Sequence, residues 1–192
     1  VLIFEDVTAR VHADRQILHM ARYDSLTGLP QRGYFIDLVR ERLERSGEFG
    51  TTVGLMILDV ADFKHVNDLK GHLTGDKLLV SIASRLTAFA AGKAIVGRQV
   101  GDHFICFFPN VEDQDDLEDV MRGLHAASSA EYDVEGMRIP VVFSAGAVLV
   151  ESAAFDMDDW LVKLDIALFE SKARSRGSFT LFVKEMDARY LE

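Results

Sequence analysis

Two aspartates, each placed at the end of an apolar run, are the residues of this 192-residue chain best placed to do chemistry. Asp102 lies in Arg98-Gln99-Val100-Gly101-Asp102-His103-Phe104, between IVGRQ and FICFF. An acidic residue beside a glycine between two such runs predicts a tight hairpin turn that presents a carboxylate. Asp59 closes the apolar start of LMILDVADFKHVNDLKGHLTGDKLL (55 to 79), a stretch that reads as a buried strand, a polar loop and then a helix. Two strands that each offer a carboxylate can hold a hard divalent cation, because Mg2+ takes oxygen ligands and keeps positions open for phosphate oxygens and water. The competing reading is structural, since an Asp at a strand end commonly caps a helix or sits in a loop.

Such carboxylates need a sheet to hold them, and the hydrophobic pattern predicts one. QRGYFIDLVRERLERS places Phe35, Ile36, Val39 and Leu43 on one helical face, and VGLMILDV follows as a fully buried strand. A helix over about 74 to 90 leads into the AIVGRQ and FICFFP hairpin, and a third helix spans about 113 to 128. IPVVFSAGAVLV reads as one long strand in which Gly146 marks a bulge or bend. The last helix, DDWLVKLDIALFESKARSR, has its N-cap among Asp156, Asp158 and Asp159 and closes near Gly177, after which FTLFV forms a final strand. This order of elements predicts an α/β (α+β) fold with a central, mostly antiparallel sheet flanked by helices.

Composition narrows the function classes. The chain is long enough for one well-cored domain with short appendages. Its formal charge of -10 argues against a nucleic-acid surface, which needs a basic footprint, and the acidic excess is densest at VEDQDDLED. No apolar run approaches the ~18 residues of a membrane span, so a cytoplasmic module without a membrane segment is expected. The single cysteine, Cys106, excludes an intramolecular disulfide and reads as a buried, inert thiol. There is no internal repeat, and no Walker-type phosphate loop, so any nucleotide must be held in another way.

Five separated segments resemble the GGDEF family in order and spacing: DSLTGLPQR (24 to 32), LDVADFKHVNDLKGHLTGD (58 to 76), RQVGDHF (98 to 104), FSAGAVLV (143 to 150) and DIALFESKARSRG (165 to 177). The likeness spans roughly residues 20 to 180, with VGDHF standing where the family has GGDEF. It implies a ferredoxin-like palm of the nucleotide-cyclase kind. The family comprises diguanylate cyclases, which condense two GTP into cyclic di-GMP across two facing domains, and degenerate relatives that keep the fold for regulation. By position, the resemblance implies Asp59, Asp102 and the carbonyl of Val60 as ligands of Mg2+ (or Mn2+). Asn67 and Asp76 fall where the family reads guanine, an amide and a carboxylate suiting its mixed donor and acceptor edge. The backbone N–H groups of Asp62 and Phe63, with Lys64, Lys172 and Arg176, occupy its phosphate-binding positions. Without the resemblance, Asn67-Asp68 is an ordinary turn, Asp76 a first-turn helix charge, and the cations dipole partners of a helix end.

The departures fall in the catalytic signature Val100, Gly101, Asp102 and His103. Val100 replaces a glycine where the chain turns tightly, and a β-branched residue resists positive φ and brings bulk towards the phosphates. His103 replaces a glutamate, exchanging an anion for a group mostly neutral at pH 7 and a poor partner for Mg2+. Ala61 stands where many members carry a further aspartate, with Asp62 beside it, and Ala91 and Ala94 occupy the places of the family's Arg-x-x-Asp product-inhibition site.

Three readings follow. The first is a GTP- and Mg2+-binding regulatory domain with little or no cyclase activity, coupled to a linked phosphodiesterase (EAL) domain. The second is an active diguanylate cyclase, and the third a scaffold for dimerisation that binds no nucleotide. Residues 1–22 read as the end of an upstream PAS-type sensor domain and a signalling helix, with Val7, Val11, Leu18 and Ala21 near heptad spacing and Asp14 interrupting the stripe. That helix either pairs in a homodimer or packs on its own domain. Residues 23–183 then form the GGDEF domain and 184–192 a linker towards an EAL domain.

Overall fold

The sheet grows from Thr52–Val60 (β1), a run so apolar that it must be covered on both faces. The computed structural model describes residues 16–46, 51–152 and 155–187, and β1 lies at the centre of their main sheet. Its partners are Ile95–Arg98 (β2), His103–Phe108 (β3), Phe143–Glu151 (β6) and Phe179–Leu181 (β7), in the order β2-β3-β1-β6-β7. All pairings are antiparallel except β6 with β7, which is parallel. The fold is therefore the mixed, helix-flanked and mostly antiparallel sheet that the pattern predicts.

Alternation along β1 divides the core in two. Met56, Leu58 and Val60 face one layer with Leu78, Ile82 and Leu86 of α4 (His72–Ala90) and Leu117, Met121 and Leu124 of α5 (Gln114–Ser128). Val53, Leu55 and Ile57 face the other, against Phe35, Val39 and Leu43 of α2 (Arg32–Ser46) and Trp160, Leu164 and Leu168 of α6 (Met157–Arg174). The aspartate-rich helix starts are true caps: Asp113 accepts from the Asp116 N–H, and Asp156 from the Asp159 N–H. Cys106 is fully buried, and burial pushes its thiol up to about 12, so it is inert.

Four expectations are corrected. The predicted polar loop after Asp59 contains a helix, α3 (Phe63–Lys70), and the next helix begins at His72. The long strand at 139 to 150 is divided: Met137–Pro140 (β5) pairs with Glu131–Val134 (β4) in a separate hairpin, and only Phe143–Glu151 joins the main sheet. That hairpin turns at Glu135 and Gly136, both at positive φ (54° and 81°), as a two-residue type I′ turn demands. Gly146 makes no bulge, since it pairs in regular register with Ile57 and Thr180. A side chain there would meet the Leu168 nitrogen and Leu164 carbonyl of α6 at 2.4 and 2.7 Å, so this glycine lets helix and sheet approach closely.

Residues 16–22 form α1, on which Ile17, Leu18, Met20 and Ala21 are exposed instead of packed on their own domain. Val7, Val11 and Asp14, and the end of the predicted linker, lie outside the described residues. Among the described residues no helix is long and apolar enough to cross a membrane.

Candidate functional site

Strand register builds the centre of the site. Asp59, near the end of β1, lies directly opposite His103 at the start of β3 and opposite Ser144 on β6. Opposed residues project to the same side of a sheet. Here that side carries α6, whose last turn holds Lys172. His103 Nε2 and Lys172 Nζ each donate to Asp59 Oδ2 at 2.6 Å. Burial would raise the Asp59 carboxyl, but the His103 ring and the Lys172 ammonium outweigh it and hold it below its ordinary value. In return the hydrogen bond to Asp59 raises His103 above its usual value despite burial.

Asp102 completes the cluster. One ligand atom each from Asp59, Asp102 and His103 lie within 4.8 Å of one another. Burial, and then the neighbouring Asp59 charge, make Asp102 hold its proton more readily than usual. Two carboxylates that repel each other across so short a gap, with an imidazole beside them, are a donor set that fits a divalent cation. Val60 buries its side chain in the opposite core layer, so only its backbone is on offer here.

The hairpin that carries Asp102 is held from a distance. His103 N–H donates to the Val100 carbonyl at 3.2 Å, closing a turn in which Gly101 alone has positive φ (67°). Val100 needs no left-handed backbone and is 80% exposed, so the expected strain at this position is absent and only its bulk remains. Beneath the turn, the nearly buried Arg98 donates to the Gly101 carbonyl from Nε at 3.1 Å and Nη2 at 2.7 Å, and to Asp24 Oδ1 from Nη1 at 2.6 Å. Asp24 also accepts from the Thr27 N–H and hydroxyl. The DSLTG segment therefore anchors the signature turn through Arg98, a role the sequence reading missed. The available signal was an arginine closing the apolar strand IVGR, two residues before the turn.

A second group surrounds the start of α3. Asp62, in the left-handed region at φ 58°, makes no side-chain cap; its carboxylate pairs with Arg176 instead. The first α3 bond runs from Val66 N–H to the Asp62 carbonyl, leaving the N–H groups of Phe63, Lys64 and His65 as unpaired donors of a helix start. A cavity of about 230 Å³ lined by Asp59, Ala61, Asp62, Ser144, Lys172 and Arg176 joins Asp62, before α3, to Asp59. The Lys172 ammonium and the Arg176 guanidinium line this cavity, each paired with a carboxylate, and such cations suit a phosphate group. The side chain of Lys64 is exposed and lines neither this cavity nor the larger one beside α3.

Asn67 and Asp76 stand apart from that cluster, on the packed helices α3 and α4. Asn67 Oδ1 is buried without a hydrogen-bond partner, and a side chain at Gly75 would meet it at 1.9 Å. Gly75 thus keeps the space that the Asn67 amide occupies, next to the exposed Asp76. Gly75→Ala is expected to push the amide out of place and lower the melting temperature by a few degrees, which a thermal melt measures.

The architecture defines the class of the molecule, a mixed α/β domain whose central sheet carries paired carboxylates beneath a cationic helix end. The GGDEF family, described as diguanylate cyclase, GGDEF domain, matches residues 21–178, and the chain belongs to it. It is similar to the cyclic di-GMP phosphodiesterase NbdA of Pseudomonas aeruginosa, with 29% identity over 178 residues, 93% of this chain and 23% of that protein. It is equally similar to the probable diguanylate cyclase DgcE of Escherichia coli, with 29% identity over 192 residues, 100% of this chain and 17% of that protein. The chain thus spans less than a quarter of the length of either relative. The solved GGDEF domain of YfiN (TpbB) from Pseudomonas aeruginosa matches with a TM-score of 0.80 and 26% identity, over 88% of this chain and 99% of that one.

Proposed function

We propose that this domain serves cyclic di-GMP signalling as a GTP-binding regulatory module with little or no cyclase activity, its occupancy passed to a linked phosphodiesterase domain. One contrast carries the reading. The groups at the nucleotide positions make no bonds of their own, Asn67 Oδ1 being buried without a partner and the first N–H groups of α3 unpaired. The catalytic side is altered, with His103 and Lys172 both closed on Asp59. In this reading Asn67 and Asp76 recognise guanine, while the α3 N-terminus with Lys64, Lys172 and Arg176 takes the phosphates. Asp59, Asp102 and the Val60 carbonyl hold Mg2+ or Mn2+, whose positive charge offsets that of the triphosphate. The similarity to NbdA, a cyclic di-GMP phosphodiesterase by name, supports the coupling.

Titration of the domain with GTP in the presence of Mg2+ should give saturable binding at micromolar nucleotide, reduced at least tenfold by Asn67→Ala. No binding at high micromolar GTP would remove the regulatory role and leave the scaffold reading.

A second reading, an active diguanylate cyclase, is favoured by the convergence of both carboxylates and by the similarity to DgcE. It requires two domains face to face, each delivering one GTP. Incubation of concentrated protein with labelled GTP, followed by chromatography for the cyclic dinucleotide, separates the two.

A further inference from the structure

We infer that His103 is a third protein ligand that gives this carboxylate pair a preference for cations with an affinity for imidazole, such as Zn2+ or Co2+, over the Mg2+ that the two carboxylates can still hold. The inference rests on the reading that a cation binds between Asp59 and Asp102, and it is independent of whether the domain binds nucleotide.

The register makes the placement unavoidable. A residue opposite Asp59 on an antiparallel partner strand must project beside it, and that residue is His103. Its Nε2 already lies 2.6 Å from Asp59 Oδ2, and Asp102 supplies a second carboxylate inside the same 4.8 Å cluster. Among the described residues this is the one such group of histidine and carboxylate ligands. Two carboxylates with water and phosphate oxygens form an all-oxygen set of the kind Mg2+ requires. Adding one imidazole nitrogen changes the preference, because nitrogen donors suit zinc, cobalt, nickel and copper. Three protein ligands with a remaining open position is also the usual ligand count of a reactive zinc site.

The neighbours permit it. The His103 side chain is one-third exposed, so a cation can reach it from solvent. Lys172 shares Asp59 Oδ2, but its side chain is 44% exposed and free to move away when a cation takes that oxygen. The other described histidines lie elsewhere: His19 stacks on Tyr23, His125 sits against Phe179, and His65 and His72 are exposed on α3 and α4.

The test is titration of the nucleotide-free domain with Zn2+, Co2+ and Mg2+ separately, by calorimetry, with the visible absorption of Co2+ as a second readout. Loss of an outer-shell partner alone costs about 10- to 100-fold in metal affinity, so loss of a direct ligand should cost no less. His103→Gln should therefore weaken Zn2+ and Co2+ at least tenfold and remove the absorption bands of a nitrogen-bound Co2+. His103→Glu should do the same to Zn2+ while leaving Mg2+ binding equal or tighter, and Asp102→Asn should weaken all three. Unchanged Zn2+ affinity in both His103 variants would overturn the proposal, as would Co2+ spectra identical to the wild type. GTP titration of the same variants separates the two readings, since loss of GTP binding with the metal pattern intact sinks only the nucleotide assignment.

Discussion

Replacing Arg98 by methionine should cost the domain about 3 kcal/mol of folding stability, the low end of the range for removing one partner of a buried ion pair. Arg98 and Asp24 are 10% and 24% exposed at their side chains, so the loss leaves a part-buried carboxylate without its cation. Thr27 still donates to Asp24 twice, which is why the upper end of that range is not expected. Urea unfolding of the single variants Arg98→Met and Asp24→Asn, and of the double variant, measures the pair; a double variant no worse than either single places the effect in the contact itself. The sign of the pH dependence follows. Burial raises Asp24, but its bonds to Thr27 and Arg98 outweigh that and hold the folded carboxyl below the ordinary value. Its contribution is therefore fully present above the unfolded pKa of about 3.9 and is lost as the pH falls through the folded value. Arg98→Met should flatten that acid limb. A variant as stable as the wild type would show that the Gly101 carbonyl and Asp24 are served equally well by water.

The same contact shows why parts of the molecule were legible in sequence and others were not. α2, α5 and α6 carry apolar residues at helical spacing and, for α5 and α6, an aspartate cap, so local chemistry predicts them. α3 is only eight residues long and fully buries none of them, Phe63 and Val66 being packed part-buried on the core, so FKHVNDLK read as a loop. β4 and β5 are four residues each, and their only signals were the alternation at Tyr132 and Val134 and the Glu135-Gly136 turn. At Gly146 the sequence pointed to a bulge or bend, because the close approach found instead depends on where α6 packs. Both carboxylates of the site were visible as strand ends. Their partners were not, since Asp59 meets His103 44 positions away and Asp24 meets Arg98 74 positions away. Those distances are closed by sheet register and by docking of the DSLTG loop on β2, where Arg98 N–H donates to the Pro30 carbonyl. Hence the residue types predicted a cation site, whereas the pairing of His103 with Asp59 and the anchoring of the turn required the fold.

Restoring the signature with Val100→Gly and His103→Glu together should raise formation of the cyclic dinucleotide from GTP by about a hundredfold or more, since one lost transition-state contact of this kind commonly costs ~3 kcal/mol. The two substitutions should act differently. Val100 is exposed and in an ordinary backbone conformation, so its replacement clears space above the turn without relieving strain and leaves stability nearly unchanged. His103→Glu places a carboxylate directly opposite Asp59, and like charges across a strand pair destabilise. Without a divalent cation, therefore, the glutamate variant should melt below the wild type, with Lys172 as the one remaining cation on Asp59; added Mg2+ should restore the loss. Product formation by chromatography and melting with and without Mg2+ are read on the same four proteins. Rapid turnover by the unmodified chain would overturn the regulatory reading. A double variant that binds Mg2+ and GTP yet stays inactive would move the defect from the hairpin to Ala61 or to the pairing of two domains, because every other position of the signature would then be in place.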